Sequence, residues 1–273
     1  MKRIGILHHP LREKARDLAD KLERFLASRG VSSWRCSAWD EDRARPQIAG
    51  TDLILSVGGD GTILRCARIV TPLSVPILGI NLGRLGFITE ISGDEILSYL
   101  PDVLDGKGWM EERAMLEAQI QGRTLHALND VVLHSAAVCL VNIQARVDDT
   151  AVATYRADGV IVATATGSTS YALAAGGPIL HPQSREIVLQ PICCHLGLSH
   201  ALVLPPSSTV DLKTDESERV ILSIDGQVEL PVSSGQSVTV KLSPHRARFL
   251  RMHEANYFYG SLWQKLTGTL NED

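Results

Sequence analysis

Gly58-Gly59-Asp60-Gly61-Thr62 places one carboxylate inside a glycine turn that follows the apolar run Leu53-Ile54-Leu55-Ser56-Val57. A short apolar run broken by glycines reads as a buried strand whose carboxyl end opens into a loop, which is where open α/β sheets bind ligands. Glycines there let backbone N–H groups converge on an anion, and a helix over Thr62 to Val70 would add its positive end. A carboxylate next to a phosphate is repelled unless it handles a proton or a metal during transfer. The leading chemistry is therefore phosphoryl transfer, against the plainer account of a tight turn. No GxxxxGK[ST] stretch occurs, and Gly79, Gly83 and Gly86 are spaced GxxxGxxG rather than GxGxxG, so an ordinary P-loop or dehydrogenase reading is weak.

A second constellation runs from Arg156-Ala157-Asp158-Gly159 through Thr164-Ala165-Thr166-Gly167-Ser168-Thr169-Ser170-Tyr171-Ala172-Leu173-Ala174 to Gly176-Gly177-Pro178. It reads as a strand, a hydroxyl-rich loop and a small-residue helix closed by Gly-Gly-Pro. Dense hydroxyls beside a helix start supply neutral donors and acceptors suited to a ribose or base edge as well as to phosphate. The plainer account is helix capping by Ser168 or Thr169, which is expected in either case.

The elements that carry these motifs fall into two textures. In the first third, Arg3 to Leu7, Ser33 to Ser37, Leu53 to Val57 and Val75 to Ile80 read as strands. They alternate with helical patterns at Leu11 to Arg29, Thr62 to Val70 and Asp94 to Leu104. Ala15, Leu18, Ala19, Leu22, Phe25 and Leu26 share one face of the first helix, with Gly30 as its stop. This order predicts a parallel sheet with helices on its faces. After about residue 111, alternating runs at Val138 to Val147, Gly159 to Ala163, Val220 to Ile224 and Ser237 to Leu242 predict antiparallel strands in two layers. The expected class is an α/β N-terminal domain with a parallel sheet plus a β-rich, β-sandwich-like C-terminal domain. Expected bounds are 1–110, 111–250, and a C-terminal helical segment 251–273, with a helix over Glu254 to Leu266, returning to the first domain.

Composition limits the alternatives. The 273 residues carry a formal net charge of −4, which argues against a broad nucleic-acid surface. No apolar stretch approaches the ~20 residues needed to cross a bilayer, and Met1 to Leu7 is too short before His8-His9-Pro10 to be a secretory signal, so a cytoplasmic protein with no membrane partner is expected. The cysteines at 36, 66, 139, 193 and 194 lack CxxC spacing and read as buried thiols, not as a disulfide framework or zinc site. Nine histidines form no HExxH pattern; His8-His9 reads as a solvated loop, with a pocket border after the first strand as the alternative.

Taken with Leu128-Asn129-Asp130, Asp225-Gly226-Gln227, Asn81-Leu82-Gly83-Arg84-Leu85-Gly86-Phe87 and the tail beginning Asn256-Tyr257, the two constellations closely resemble the bacterial NAD kinase family over nearly the whole chain. The GGDGT turn alone is shared with lipid kinases; the TGSTSYALAAGGPIL passage favours NAD kinase. The resemblance implies transfer of the terminal phosphate of ATP, or of inorganic polyphosphate, to the 2′-hydroxyl of the adenosine ribose of NAD, giving NADP. It further implies Mg²⁺ or another divalent metal with the ATP, no prosthetic group, a homodimer or homotetramer, and a substrate site between the domains.

By the same resemblance, Asp60 is the general base, while Gly58, Gly59, Gly61 and Thr62 cradle donor phosphates. Asn129 and Asp130 bind ribose or nicotinamide groups, and Asp158 holds the nicotinamide end. Thr166, Thr169, Ser170, Tyr171 and Ala174 line the adenine pocket, Ala172 and Leu173 belong to the same nucleotide-binding stretch, and Phe87 packs on a ring, with ordinary core as the plainer account. Arg65 and Arg156 face phosphates, with a surface charge as the plainer account of either, and Gln227 follows a turn that enters the cleft in relatives, a hairpin role that needs no ligand. Metal ligands are left open. The chain departs from the family pattern at Ala165, in place of proline, at His200-Ala201, in place of Arg-Pro, and at Leu140, where many relatives carry a basic or histidine residue. Donor choice, subunit contacts and the balance between NAD and NADH are left open by these changes. The rivals are a lipid or other small-molecule kinase and a non-catalytic NADP(H) sensor.

Overall fold

A computed structural model describes residues 1–83, 86–215, 219–233, 235–254, 258, 260 and 262. Arg84 and Leu85, the tail from Asn256-Tyr257 and most of the helix expected over Glu254 to Leu266 lie outside the described residues. The chain forms two compact units, residues 1–112 with 247–273, and residues 113–246.

In the first unit the order is β1 (Arg3–His8), α1 (Glu13–Ser28), β2 (Ser32–Ser37), α2 (Glu41–Ile48), β3 (Leu53–Gly58), α3 (Asp60–Val70), β4 (Ile77–Asn81), β5 (Ile91–Ser92) and α4 (Ile96–Leu104). The strands pair in parallel in the order β5-β4-β3-β1-β2. Every residue of β3 is buried, as a strand covered on both faces requires. The α1 face of Ala15, Leu18, Ala19, Leu22 and Leu26 packs on Ile4, Ile6, Leu55, Val57 and Leu78. Because β2 and β3 leave β1 on opposite sides, the order reverses between β1 and β3, and the crevice outside their carboxyl ends is where such sheets bind ligands. That crevice is bordered by His8-His9 after β1 and by the glycine turn after β3. Helix α2 escapes the sequence pattern because it is short, charged and interrupted by Pro46.

The second unit is built from antiparallel strands: β6 (Trp109–Ile120), β7 (Arg123–Ala127), β8 (Asp130–Ser135), β9 (Val141–Val147), β10 (Thr150–Ala157), β11 (Gly159–Ala163), α5 (Tyr171–Ala174), β12 (Ile187–Ile192), β13 (Leu202–Leu204), β14 (Thr209–Thr214), β15 (Val220–Ile224), β16 (Val228–Val232) and β17 (Ser237–Arg251). The ends of β6 and β17 belong to the first unit, where Phe249 pairs in parallel with Ile77. One sheet runs β13-β12-β11-β8-β15-β16; the other contains β10-β9-β14-β17. Their facing apolar residues form one core, including Val131, Leu133, Val160, Val162, Ile143, Tyr155 and Val240. Period-two alternation along β11 sends Val160 and Val162 into that core, and Ile161 and Ala163 to the other face, against Ala172 of α5.

Several expectations need correction. The strand expected over Ser237 to Leu242 continues to Arg251. The small-residue helix shrinks to a 3₁₀ turn at Gly167–Thr169 followed by one four-residue turn. The cysteines are all free, but Cys139 and Cys193 are exposed; Cys66 is the deeply buried one, and burial pushes its thiol up to about 12. Among the described residues no helix is long and apolar enough to cross a membrane.

Candidate functional site

Asp60 is the first residue of α3, and its carboxylate is held by the loop that follows β4. Phe87 N–H donates to Oδ2 at 2.7 Å, and the N–H groups of Ile88 and Thr89 both donate to Oδ1 at 3.2 Å. A carboxylate has about four lone-pair sites, so the three donors among the described residues leave one, on Oδ2. The loop can approach this closely because residue 86 is glycine: a Cβ there would fall 2.2 Å from Asp60 Oδ1. Gly58 closes β3 and Gly59 precedes α3 in extended conformation; Gly61 is exposed, and the Thr62 hydroxyl lies 3.5 Å from Gly59 N. The helix start thus presents backbone N–H groups beside an exposed glycine surface, an arrangement that accepts an anion. Phe87 is half-buried on the same loop, and Arg65 lies farther along α3.

The loop carrying the Asp60 cradle is itself anchored by a buried ionic network absent from the sequence reading. Arg251, 6% exposed, donates from Nη1 to Ile88 O at 2.7 Å and to Glu90 Oε2 at 3.0 Å, and from Nε to Glu111 Oε2 at 2.7 Å. Glu90 Oε1 accepts from Met252 N–H and His253 N–H, both at 2.8 Å. Three carbonyl or carboxylate acceptors on one guanidinium tie the 88–90 backbone to the end of β17. Sequence spacing carries no trace of this, because Arg251 lies 163 positions from Ile88.

In the second unit, three separate turns converge. Asp225 begins the β15–β16 hairpin, where it and Gly226 adopt φ of +52° and +62°. Its carboxylate accepts from Leu128 N–H at 2.9 Å, Asn129 N–H at 2.7 Å and Asp130 N–H at 3.0 Å. Thr164, just after β11, donates its hydroxyl to Leu128 O at 2.6 Å and accepts from Gly167 N–H at 3.1 Å. A Cβ at Gly167 would fall 2.0 Å from Asn129 O, so only glycine lets the two segments meet. The expected capping does not occur: Ser168 donates to Ala165 O and Thr169 to Thr166 O, each back along the chain, and Ser168 Oγ accepts from Leu180 N–H. The hydroxyls brace the loop by its carbonyls.

Two polar atoms in this group are buried without a hydrogen-bond partner among the described residues, Asn129 Oδ1 and Thr166 Oγ1. Buried polar atoms are ordinarily satisfied, so the pair marks a surface that a polar ligand would complete. Asp130 is 4% exposed; burial, and then the neighbouring Asp225 charge, push its carboxyl up to about 7. Tyr171 is raised by burial first and then by charge at Cys193, Asp158 and Asp130, which places its phenol near both aspartates. Ser170, Tyr171, Ala174, Arg156 and Asp158 are exposed, Thr169, Leu173 and Gln227 are half-buried, and Ala172 faces the sheet instead. Asp225, Thr164 and Gly167 organise this group, and Gly86 the first; all four stand within motifs that the sequence displays, but no role follows from them before the contacts are known. Among the described residues no group of three or more His, Cys, Asp or Glu side chains converges to hold a metal ion.

Residues 29–108 match the family model of the ATP-NAD kinase N-terminal domain, and residues 128–252 that of the ATP-NAD kinase C-terminal domain. The chain belongs to the NAD kinase family. An NAD kinase of Dehalococcoides mccartyi is 45% identical over 98% of this chain and 96% of its own length, and one of Chloroflexus aurantiacus is 39% identical over 97% and 99%. Among solved structures, yeast NADH kinase complexed with NADH aligns with a TM-score of 0.87 at 26% identity, covering 100% of this chain and 89% of that one. An NAD kinase from Archaeoglobus fulgidus in complex with ATP aligns with a TM-score of 0.80 at 26% identity, over 98% and 100%. The α/β unit with its parallel sheet and the antiparallel β unit are the NAD kinase fold.

Proposed function

We propose that the two residue groups serve the two substrates of one reaction, the first handling donor phosphates and the reacting proton, the second holding the dinucleotide. The chain is an NAD kinase family enzyme that phosphorylates NAD to NADP. The observation that carries the residue assignment is the lone pair on Asp60 Oδ2 that, among the described residues, is left uncommitted by three N–H donors that fix the carboxylate in place. In this reading Oδ2 accepts the proton of the ribose 2′-hydroxyl as that oxygen attacks the terminal phosphorus of ATP, and the bond to the leaving diphosphate breaks. Proton transfer of this kind contributes ~10²–10⁴-fold; alignment and charge stabilisation supply the rest.

The donor phosphates are assigned to the N–H groups and glycine surface at Gly59 to Thr62. A divalent cation such as Mg²⁺ would enter with the phosphates, which supply most of its ligands, and neutralise charge there. Asn129, Asp130 and Thr166 are assigned to the dinucleotide, because their buried unpaired oxygens and raised carboxyl suit hydroxyl and amide partners. Tyr171, Ser170 and Asp158 border the same surface. The dinucleotide-binding domain is assigned to the β-rich part of the chain, with a homo-oligomer as the assembled form. Incubation with NAD, ATP and Mg²⁺ tests the assignment through variants: Asp60→Asn should abolish most turnover with little change in NAD affinity, while Thr166→Val should raise the NAD KM. The reverse pattern would overturn it.

A further inference from the structure

Cys193 and Cys194 are the one adjacent pair among the five cysteines, and both thiols are free. They stand where the chain leaves β12, in a strap that folds back over the end of β10. Asp158 N–H donates to Ile192 O at 3.0 Å, His195 N–H to Arg156 O at 2.8 Å and Arg156 N–H to Leu196 O at 3.0 Å. Farther along, Gly197 at φ +113° lets the strap pass so close to β10 that a Cβ would fall 2.8 Å from Thr154 O. Consecutive side chains of an extended segment lie on opposite faces. Cys193, at φ +48°, breaks that alternation in the left-handed region. Its exposed thiol lies within charge reach of the Tyr171 phenol, which also feels Asp158. The half-buried Cys194 packs against the core between the two sheets, near Tyr155, and donates from Sγ to Leu196 O at 3.2 Å. One thiol thus opens to solvent beside the dinucleotide surface, and the next pins the strap.

We propose that Cys193 and Cys194 form a peroxide-oxidisable dithiol that controls dinucleotide binding. The inference rests on the assignment of Tyr171 and Asp158 to the dinucleotide. The Cys193 sulfur attacks one oxygen of hydrogen peroxide; the O–O bond breaks, water leaves and a sulfenic acid remains. The Cys194 sulfur then attacks the Cys193 sulfur, the S–O bond breaks, and the Cys194 proton leaves with the hydroxyl as a second water. Two thiols are oxidised to one disulfide, and one peroxide is reduced to two waters. Consecutive Cα atoms are ~3.8 Å apart, below the about 4.4–6.8 Å that a disulfide ordinarily spans, so the ring is strained and a dithiol reductant reopens it. Closing it draws Cys194 Sγ off Leu196 O and out of its core contact, which loosens the strap beside Arg156 and Asp158.

The test treats the reduced, intact protein with hydrogen peroxide, removes the excess with catalase, and reads mass, free thiols and steady-state kinetics with NAD and ATP varied separately. Wild type should lose two hydrogens from the peptide holding residues 193 and 194 and keep three of its five free thiols. Its NAD KM should rise at least ~10-fold while the ATP KM stays within about twofold, and a dithiol reductant should restore both thiols and kinetics. Cys193→Ser and Cys194→Ser should each match reduced wild type before treatment. After it, Cys193→Ser should keep its NAD KM, and Cys194→Ser should take up oxygen at Cys193 without closing a ring; either variant alone carries the test if the other folds poorly. Cys139→Ser, which removes the other exposed thiol, should respond as wild type does. Wild type that keeps all five thiols overturns the proposal, as does an unchanged NAD KM once the ring has closed. Inactivation that persists in Cys193→Ser, or a disulfide to Cys139 or between chains in place of the ring, also overturns it. Reduced wild type that makes no NADP would instead sink the catalytic reading, with the ring still read by mass.

Discussion

Asp130→Asn should make the ligand-free protein more stable at alkaline pH while weakening its hold on NAD. The Asp130 carboxyl is 4% exposed, and burial, then the neighbouring Asp225 charge, push it up to about 7 from the ordinary aspartate value of 3.8. Between those values the unfolded chain is ionised at this position while the folded chain keeps the proton. The folded state thus binds more protons, and stability falls as pH rises. A difference of roughly three pKa units at 1.36 kcal/mol each gives a loss on the order of 4 kcal/mol, complete once pH exceeds about 7. Asparagine resembles the protonated acid and does not titrate, so the gap between variant and wild type should open by that amount from pH 4 to pH 8. For a chain of this size the gap corresponds to a change of roughly 8–16 °C in the difference of melting temperatures. Thermal unfolding of both proteins at a series of pH values reads it directly. Parallel Tm-against-pH curves would refute the argument that burial beside Asp225 keeps this carboxyl neutral.

Three further outcomes follow from the contacts. Gly86→Ala should lower kcat by ~10²-fold or more, because its Cβ would fall 2.2 Å from Asp60 Oδ1 and must displace the base or its cradle; unchanged kcat in a folded variant would show that the cradle is dispensable. Gly167→Ala should cost ~1–3 kcal/mol of stability and raise the NAD KM more than the ATP KM, since the new methyl would meet Asn129 O at 2.0 Å; chemical denaturation and kinetics check both halves. Arg251→Met should cost ~3–5 kcal/mol by removing the guanidinium that pairs with buried Glu90 and Glu111. A melting temperature within a degree or two of wild type would contradict that.

The parts legible in the sequence were those set by local chemistry. The glycine turn after Val57, the α1 stripe from Ala15 to Leu26 and the alternation from Gly159 to Ala163 each display their period or breaker within one segment, and all three elements formed. Contacts that join distant segments leave no such mark. Nothing local says that Asp225 holds the backbone of residues 128–130, or that Arg251 anchors the loop behind Asp60. Gly86 was visible as a glycine whose spacing fitted no nucleotide fingerprint, yet its reason is a side chain 26 positions away. Helix α2 was hidden by Pro46 and its charges, and the hydroxyls of Ser168 and Thr169 misled because their carbonyl partners depend on the 3₁₀ turn.

The central claim is that the Asp60 carboxylate, oriented by three backbone N–H groups, takes the proton of the attacking hydroxyl. The most direct measurement is single-turnover formation of NADP by Asp60→Asn and wild-type protein at saturating NAD, ATP and Mg²⁺. A fall of at least ~10²-fold in the chemical step, with NAD affinity preserved, is the predicted result. NADP formation by Asp60→Asn at the wild-type rate would contradict the account.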